Sequence, residues 1–413
     1  MPDTTKLNFF VVDDDPEMAE FMATLLQAGG HGVTFSTDST IAVEQIADAK
    51  PDCVLFDLMM PGLDGMELCA RLRQHPELAK IKLIVVSSKS YHYDRKRAFE
   101  CGIDGYITKP IRENTFVTSV NRIIEDKMDL SFWGVRGTLP VPGEKSIRYG
   151  GNTSCVTIEF SRGDFLIFDA GSGIKELSNW MMGLGKKKIE AKIFLSHPHW
   201  DHINALPFFV PLYIQGNIFE IFGPRHDDIT VHQLISAQMD GVYFPITIQE
   251  FASSVTFRDL HEEVLEFDGI TIKTMLLHHP GQCLGYRIEY KGRSICYITD
   301  NELYLESDEE HYDPFYVKRL VKFIEGADAL ITDSTYTDEE YANGKVGWGH
   351  SCIGQVVDLA ARAKVKTLYL FHHDPDQNDD AIDAKLATAR AMLEDLGSSV
   401  VCEAPTDRTH LKI

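Results

Sequence analysis

The stretch Leu195–Leu206 reads LSHPHWDHINAL, and it sets down His197, His199, Asp201 and His202 within six residues. It follows the apolar run AKIF (191–194), which has the length and character of a buried strand. The four side chains therefore stand on a loop at a strand end. Imidazoles and carboxylates do not pack into a core without partners, because an unsatisfied polar group is costly to bury. Nitrogen and oxygen donors without a cysteine suit Zn²⁺, Mn²⁺ or Fe at an open catalytic site rather than a closed structural zinc site.

The pattern of a polar residue closing an apolar run recurs along the chain. Asp169 follows DFLIF (164–168), His278 and His279 follow ITIKTMLL (270–277), Asp300 follows ICYIT (295–299), and His372 and His373 follow LYLF (368–371). Taken in this order, the motifs resemble the metallo-β-lactamase superfamily over about residues 131–413. The resemblance implies an αββα sandwich with one metal on His197, His199, His279 and Asp300, and another on Asp201, His202, Asp300 and His372. The downstream GYRI (285–288) favours His279 over His278, and alignment on the preceding strand favours His372 over His373. Asp169 matches the aspartate that buttresses the metal loop from behind. Two cations about 3.5–4 Å apart would lower the pKa of a shared water and stabilise both oxygens of an in-line displacement.

Further residues narrow the branch. Asp300 stands where true β-lactamases carry a cysteine, and His199 stands where flavodiiron proteins carry an acid. The stretch 333–374, DSTYTDEEYANGKVGWGHSCIGQVVDLAARAKVKTLYLFHHD, resembles tRNase Z and its phosphodiesterase relatives. There His350 matches a histidine that protonates the leaving group, a role suited to a group whose ordinary pKa is near neutrality. His350 and Asp201 are the catalytic expectations. The opening FWGVRGTLPVPG (132–143) and RYGGNTSC (148–155) are shared with phosphodiesterase-like members, so Arg136, Arg148 and Asn152 are candidate phosphate contacts. Turn chemistry is the competing reading of those three.

The first 128 residues have another texture. The runs LNFFVV, CVLF, LIVVS and GYIT alternate with helical patterns at 18–27, 41–49, 66–73 and 115–127, as a doubly wound α/β sheet requires. Asp13 and Asp14 close the first run, Asp57 the second, Ser87 the third and Lys109 the fourth. Strand C-terminal ends are where such sheets bind ligands. Over residues 7–127 this resembles the CheY-like receiver family, with a five-stranded parallel sheet. The resemblance implies Asp57 as phosphoacceptor, Mg²⁺ on Asp13, Asp14, Asp57 and the Met59 carbonyl, Ser87 and Tyr106 as switch residues, and Lys109 as the cation on the phosphoryl group. It also implies a cognate histidine kinase or phosphotransfer protein as partner, and a face that forms a homodimer or covers the metal cleft. The boundary falls at 128, giving a receiver domain at 1–128 and a hydrolase domain at 129–413.

Bulk properties bound the function. The chain has 413 residues, 40 basic against 62 acidic, with a formal charge of −22. The first 128 hold 14 basic and 20 acidic residues, leaving 26 against 42 for the rest. Such a surface repels phosphate backbones, so a large nucleic-acid footprint is not expected, and neither is tRNA processing. A small anionic substrate remains compatible, since bound cations reverse the field locally. No apolar run approaches the ~18 residues of a membrane span. Eight scattered cysteines without a CxxC pair read as reduced thiols of a cytoplasmic protein. The expected function is a response regulator whose output is a metal-dependent phosphodiesterase of cyclic nucleotides or related small diesters. The alternatives are hydrolysis of a carboxylic, lactone, thio- or sulfate ester, with a wall built from the aromatics of 208–222 and 240–244, or a di-iron redox or ligand sensor.

Overall fold

The computed structural model describes residues 6–89, 92–185, 188–242, 244–267 and 269–413. The chain divides into two compact units. One runs to Met128 and takes in Phe160–Asp164; the other comprises Asp129–Glu159 and Phe165–Ile413.

In the first unit β1 (Asn8–Val12), β2 (Gly32–Ser36), β3 (Cys53–Phe56), β4 (Lys82–Ser87) and β5 (Gly105–Thr108) form a parallel sheet in the order β2-β1-β3-β4-β5. Successive side chains alternate faces, and here both faces are buried. Phe10 and Val12 join Val54, Phe56 and Val85 on one side; Phe9 and Val11 join Leu55, Ile84 and Val86 on the other. That is why the sequence shows continuous apolar runs rather than alternation. Helices α1 (Pro16–Ala28), α2 (Ala42–Ala49), α3 (Gly65–Gln74), α4 (His92–Glu100) and α5 (Glu113–Glu125) connect the strands. Asp15 and Asp64 cap α1 and α3, accepting from backbone N–H groups of the first turn. The patterning predicts four of these helices; α4 (HYDRKRAFE) escapes it because so little of it is apolar.

The second unit has two seven-stranded sheets. The first joins β6 (Met128–Gly134), β7 (Cys155–Phe160), β8 (Phe165–Phe168), β9 (Glu190–Phe194), β10 (Ile218–Pro224), β11 (Ser254–Leu260) and β19 (His410–Lys412), in the order β11-β10-β9-β8-β7-β6-β19. The second joins β12 (Val264–Phe267), β13 (Ile270–Leu277), β14 (Cys283–Tyr290), β15 (Arg293–Ile298), β16 (Ala329–Asp333), β17 (Thr367–Phe371) and β18 (Val401–Glu403) in sequence order. Phe168 and Phe194 from the first sheet meet Tyr286 and Tyr297 from the second at ring distances of 5.5 to 5.6 Å. Phe132 meets Tyr369 and Phe371 farther along. The aromatic layer glues the sheets face to face. Their outer faces pack on helices, among them Gly173–Gly183 on one side and Pro314–Ile324 and Ile353–Ala363 on the other. This is the expected αββα sandwich.

Of the expected aromatic wall, part is buried and part reaches the surface. The segment 208–222 breaks into two short 3₁₀ turns, Leu206–Phe208 and Val210–Tyr213, followed by β10. Phe219 and Phe222 are buried because β10 is an interior strand, and Phe209 is buried too; Phe208 is exposed and Tyr213 partly so, with Phe208 edge-on to the partly exposed Phe244 at 5.3 Å. Tyr243 lies outside the described residues.

Candidate functional site

Strand ends of both sheets of the sandwich converge on one pocket. The loop after β9 carries His197 and His199, then a single helical turn, Trp200–Ile203, that holds Asp201 and His202. His279 follows β13, Asp300 follows β15 and His372 follows β17. The ligand atoms of His197, His199, His279 and Asp300 lie within 4.8 Å of one another, as do those of Asp201, His202, Asp300 and His372. Asp300 is common to both groups. Its Oδ2 is 3.5 Å from His197 Nε2 and 3.7 Å from His279 Nε2, while its Oδ1 is 3.2 Å from His202 Nε2 and 3.1 Å from His372 Nε2. One carboxylate thus faces two donor sets through its two oxygens.

The far nitrogens of these rings are held from behind. His279 Nδ1 is 2.8 Å from the Gly349 carbonyl, which can only accept. That fixes the proton on Nδ1 and leaves the Nε2 lone pair facing the pocket. His202 Nδ1 is 2.7 Å from Asp169 Oδ2, and the same oxygen accepts from Ser196 Oγ and Tyr297 OH. His372 Nδ1 is 3.1 Å from Thr335 Oγ1, which donates to the Asp333 carboxylate or the His372 carbonyl. Asp169 and His372 both sit at positive φ, 59° and 61°, a sparsely populated conformation for residues with a Cβ. Gly137 must be glycine, since a Cβ there would lie 2.2 Å from the His372 ring. His373, the neighbour not favoured for this role, points elsewhere; its ring is fully buried beside Tyr149.

The donor set fits a pair of divalent cations. The Nε2 of buried His197 has no hydrogen-bond partner, the state expected of a lone pair aimed at a cation. Burial would raise the Asp300 and Asp201 pKa values, but the surrounding imidazoles hold both carboxyls well below their ordinary range. The pocket therefore gathers carboxylate oxygens and imidazole nitrogens at one point, the donor types that Zn²⁺, Mn²⁺ or Fe takes.

His350 lies beside this centre, stacked on His372 with ring centroids 4.9 Å apart. Its Nδ1 is 2.8 Å from Asp333 Oδ2. Burial would lower its pKa, but the Asp333 charge and hydrogen bond outweigh that and lift it to about 9. Asp333, Thr335, Tyr297 and Ser196 were not singled out by the motif reading. Asp333 gave a usable signal, since it closes the apolar run ALITD just as Asp169 and Asp300 close theirs.

The candidate phosphate contacts are committed elsewhere. Arg136 is completely buried; its guanidinium donates to the Gly150 and Gln377 carbonyls and pairs with Asp379 at 3.4 Å. Arg148 pairs with Asp379, Asp380 and Asp383. Asn152 accepts from Ser172 Oγ through its side chain and donates its backbone N–H to Asp407. Arg136 and Asn152 are thus held by the surrounding protein, and Arg148 is paired at the surface.

In the first unit Asp57 is buried at the end of β3, where its Oδ1 accepts from Ser87 Oγ at 2.6 Å and from the Met59 N–H at 3.1 Å. Lys109 Nζ bridges Asp57 Oδ2 at 2.7 Å and Asp13 Oδ2 at 2.8 Å. Burial would raise the Asp57 pKa, but Lys109 and Ser87 bring it below its ordinary value. Asp14 is exposed, and Tyr106 is turned inward, its hydroxyl donating to the Lys89 carbonyl at 2.6 Å.

Comparison with known proteins matches both halves. Residues 9–121 fit the family model of the response regulator receiver domain, and residues 166–373 fit that of the beta-lactamase superfamily domain. The DNA-binding response regulator MtrA of Mycolicibacterium smegmatis is 30% identical over 163 residues, which is 38% of this chain and 69% of that protein. Its Mycobacterium tuberculosis counterpart is 31% identical over the same share. Among solved structures, the metallo-β-lactamase fold protein YhfI from Bacillus subtilis superposes with a TM-score of 0.52 at 19% identity, over 70% of this chain and all of that one. Unliganded yeast PDE1 does so with a TM-score of 0.53 at 13% identity, over 69% of this chain and 99% of that one. At such identities the two structures speak to the fold alone.

Proposed function

Because the chain belongs to the beta-lactamase superfamily through residues 166–373 and carries a response regulator receiver domain at residues 9–121, we propose that it is a response regulator whose output is a dinuclear metal-dependent phosphodiesterase. The substrates are cyclic nucleotides or comparable small diesters, and phosphorylation of Asp57 controls the activity. The observation that carries this reading is the convergence of two four-residue donor sets on Asp300, with His350, paired to Asp333 and stacked on His372, beside them.

In this reading His197, His199, His279 and Asp300 hold one cation, and Asp201, His202, Asp300 and His372 hold the other. When bound, the cations supply Lewis acidity toward the phosphoryl oxygens and lower the pKa of water. The rest falls to the chain. Asp169 and the Gly349 carbonyl keep the imidazoles in the tautomer that presents a lone pair. His350, charged through its pair with Asp333, gives its proton to the leaving oxygen as the ester bond to phosphorus breaks. In the receiver, Asp13, Asp14, Asp57 and the Met59 carbonyl hold Mg²⁺, a histidine kinase or phosphotransfer protein supplies the phosphoryl group, and Lys109, Ser87 and Tyr106 respond to it. No helix among the described residues is long and apolar enough to cross a membrane; in this reading the regulator is cytoplasmic and works as a homodimer.

Elemental analysis beside turnover of bis(p-nitrophenyl) phosphate tests the reading. The wild type should hold two metals per chain, and His199→Ala and Asp300→Ala should lose metal and turnover together. Turnover that survives in metal-depleted variants would overturn it.

A further inference from the structure

Trp200 and Trp348 are the most exposed of the four tryptophans, at 78% and 57%. Both border one imidazole. Trp200 follows His199, whose Nδ1 is 3.1 Å from His279 Nε2, and Trp348 precedes Gly349, whose carbonyl is 2.8 Å from His279 Nδ1. Single exposed aromatics are ordinary. What is not ordinary is how Trp348 is held.

Glu302 is 1% exposed, and three donors converge on its carboxylate. Oε1 accepts from Tyr341 OH and the Gly347 N–H, and Oε2 accepts from the Gly349 N–H, each at 2.7 Å. The amides on either side of Trp348 are thus clamped to one buried carboxylate. Gly347 and Gly349 take φ of 82° and 84° to make the turn, and a Cβ on Gly349 would lie 2.4 Å from His279. Withdrawing a carboxylate from water is expensive. Here the expense fixes a turn whose indole is exposed, one residue before the glycine that contacts His279. Lys345 Nζ lies over that indole, 4.0 Å from its centre, a local cation within residues 129–413, which hold 26 basic against 42 acidic residues.

We propose that Trp348, on the turn that Glu302 pins and with Lys345 over one face of its indole, offers the other face as the stacking platform for a flat base in the substrate, so that the preferred diester is a nucleotide rather than an alkyl phosphodiester. This rests on the phosphodiesterase reading above. A turn fixed in advance loses little entropy when a base stacks on the indole it carries, and the nearby cation attracts the attached phosphate.

The test is isothermal titration of the full-length protein with AMP and with ribose 5-phosphate, which share the phosphate and differ in the base. Turnover of glycerophosphocholine, a diester without a ring, is measured in parallel. Wild type should bind AMP about tenfold more tightly than ribose 5-phosphate. Trp348→Ala should shrink that preference to below about threefold while leaving ribose 5-phosphate binding and glycerophosphocholine turnover unchanged, and Trp348→Phe should restore part of it. Equal binding of the two ligands by wild type, or a preference that survives Trp348→Ala, would overturn the proposal. A preference that depends on Trp348 in a protein inert toward every diester supports the platform and sinks the phosphodiesterase reading instead.

Discussion

His202 Nδ1 lies 2.7 Å from Asp169 Oδ2, and both groups are fully buried. The contact turns the opposite nitrogen, Nε2, toward Asp201 and Asp300 at 3.2 Å each. Asp169 is thus a positioning residue that acts on the pocket through an imidazole. Asp169→Asn keeps the shape but replaces an acceptor-only oxygen pair with a group that must also donate. Metal affinity should fall about 10- to 100-fold, as for other carboxylates behind metal-binding histidines. Equilibrium dialysis against a metal buffer checks this, and affinity equal to wild type would refute it.

His350 should matter only when the leaving group needs a proton. His350→Asn should slow hydrolysis of an alkyl-leaving diester by about 10²- to 10⁴-fold, the usual contribution of a general acid. With p-nitrophenolate, which departs without protonation, the loss should be far smaller. A similar loss on both substrates would mean that His350 serves structure rather than proton transfer.

Arg136 and Arg148 should behave oppositely to phosphate contacts. Removing the Arg136 guanidinium leaves Asp379 without its buried cation and should cost about 3–5 kcal/mol of stability, read as a shift in the urea midpoint. Arg148→Ala, at an exposed site, should leave KM for a diester unchanged. A KM raised severalfold by Arg148→Ala would restore it as a substrate residue.

Asp407 supplies a pH test. Burial pushes its carboxyl up to about 7, beyond what the Asn152 N–H and Arg136 recover. With the folded-state value above the unfolded one of 3.8, the folded protein binds the extra proton between these values. The protonated group's contribution is complete below pH 4 and is lost as pH rises toward 7. Asp407→Asn removes that slope, so the stability of wild type relative to the variant should decline from pH 4 to pH 7. The full decline is several kcal/mol at ~1.4 kcal/mol per unit. Parallel pH–stability curves would contradict the assignment.

Both architectures were legible because their information is local. Each donor of the pocket closes an apolar run, so strand and site were announced by the same few residues, and the GYRI after His279 distinguished adjacent histidines. What escaped was set by distant partners. Arg136 reads as a free cation until Asp379, 243 positions away, closes over it. Glu302 reads as one more surface acid until the amides of Gly347 and Gly349 reach it. The aromatics after Phe208 read as a wall because nothing local shows that β10 is an interior strand. The helix at 92–100 was missed for the converse reason, since its strongly polar sequence gives almost no periodic signal.

The central claim is that the receiver's phosphoacceptor governs a metal-dependent phosphodiesterase carried by the same chain. Its most direct test is diester turnover with and without beryllofluoride, in wild type and in Asp57→Ala, with metal content determined for each sample. Wild type should change its rate by at least about fivefold on adding the mimic, the low end of coupling between two sites, while Asp57→Ala should not respond and both should hold two transition metals per chain. A wild-type rate indifferent to beryllofluoride at full metal loading would contradict the account.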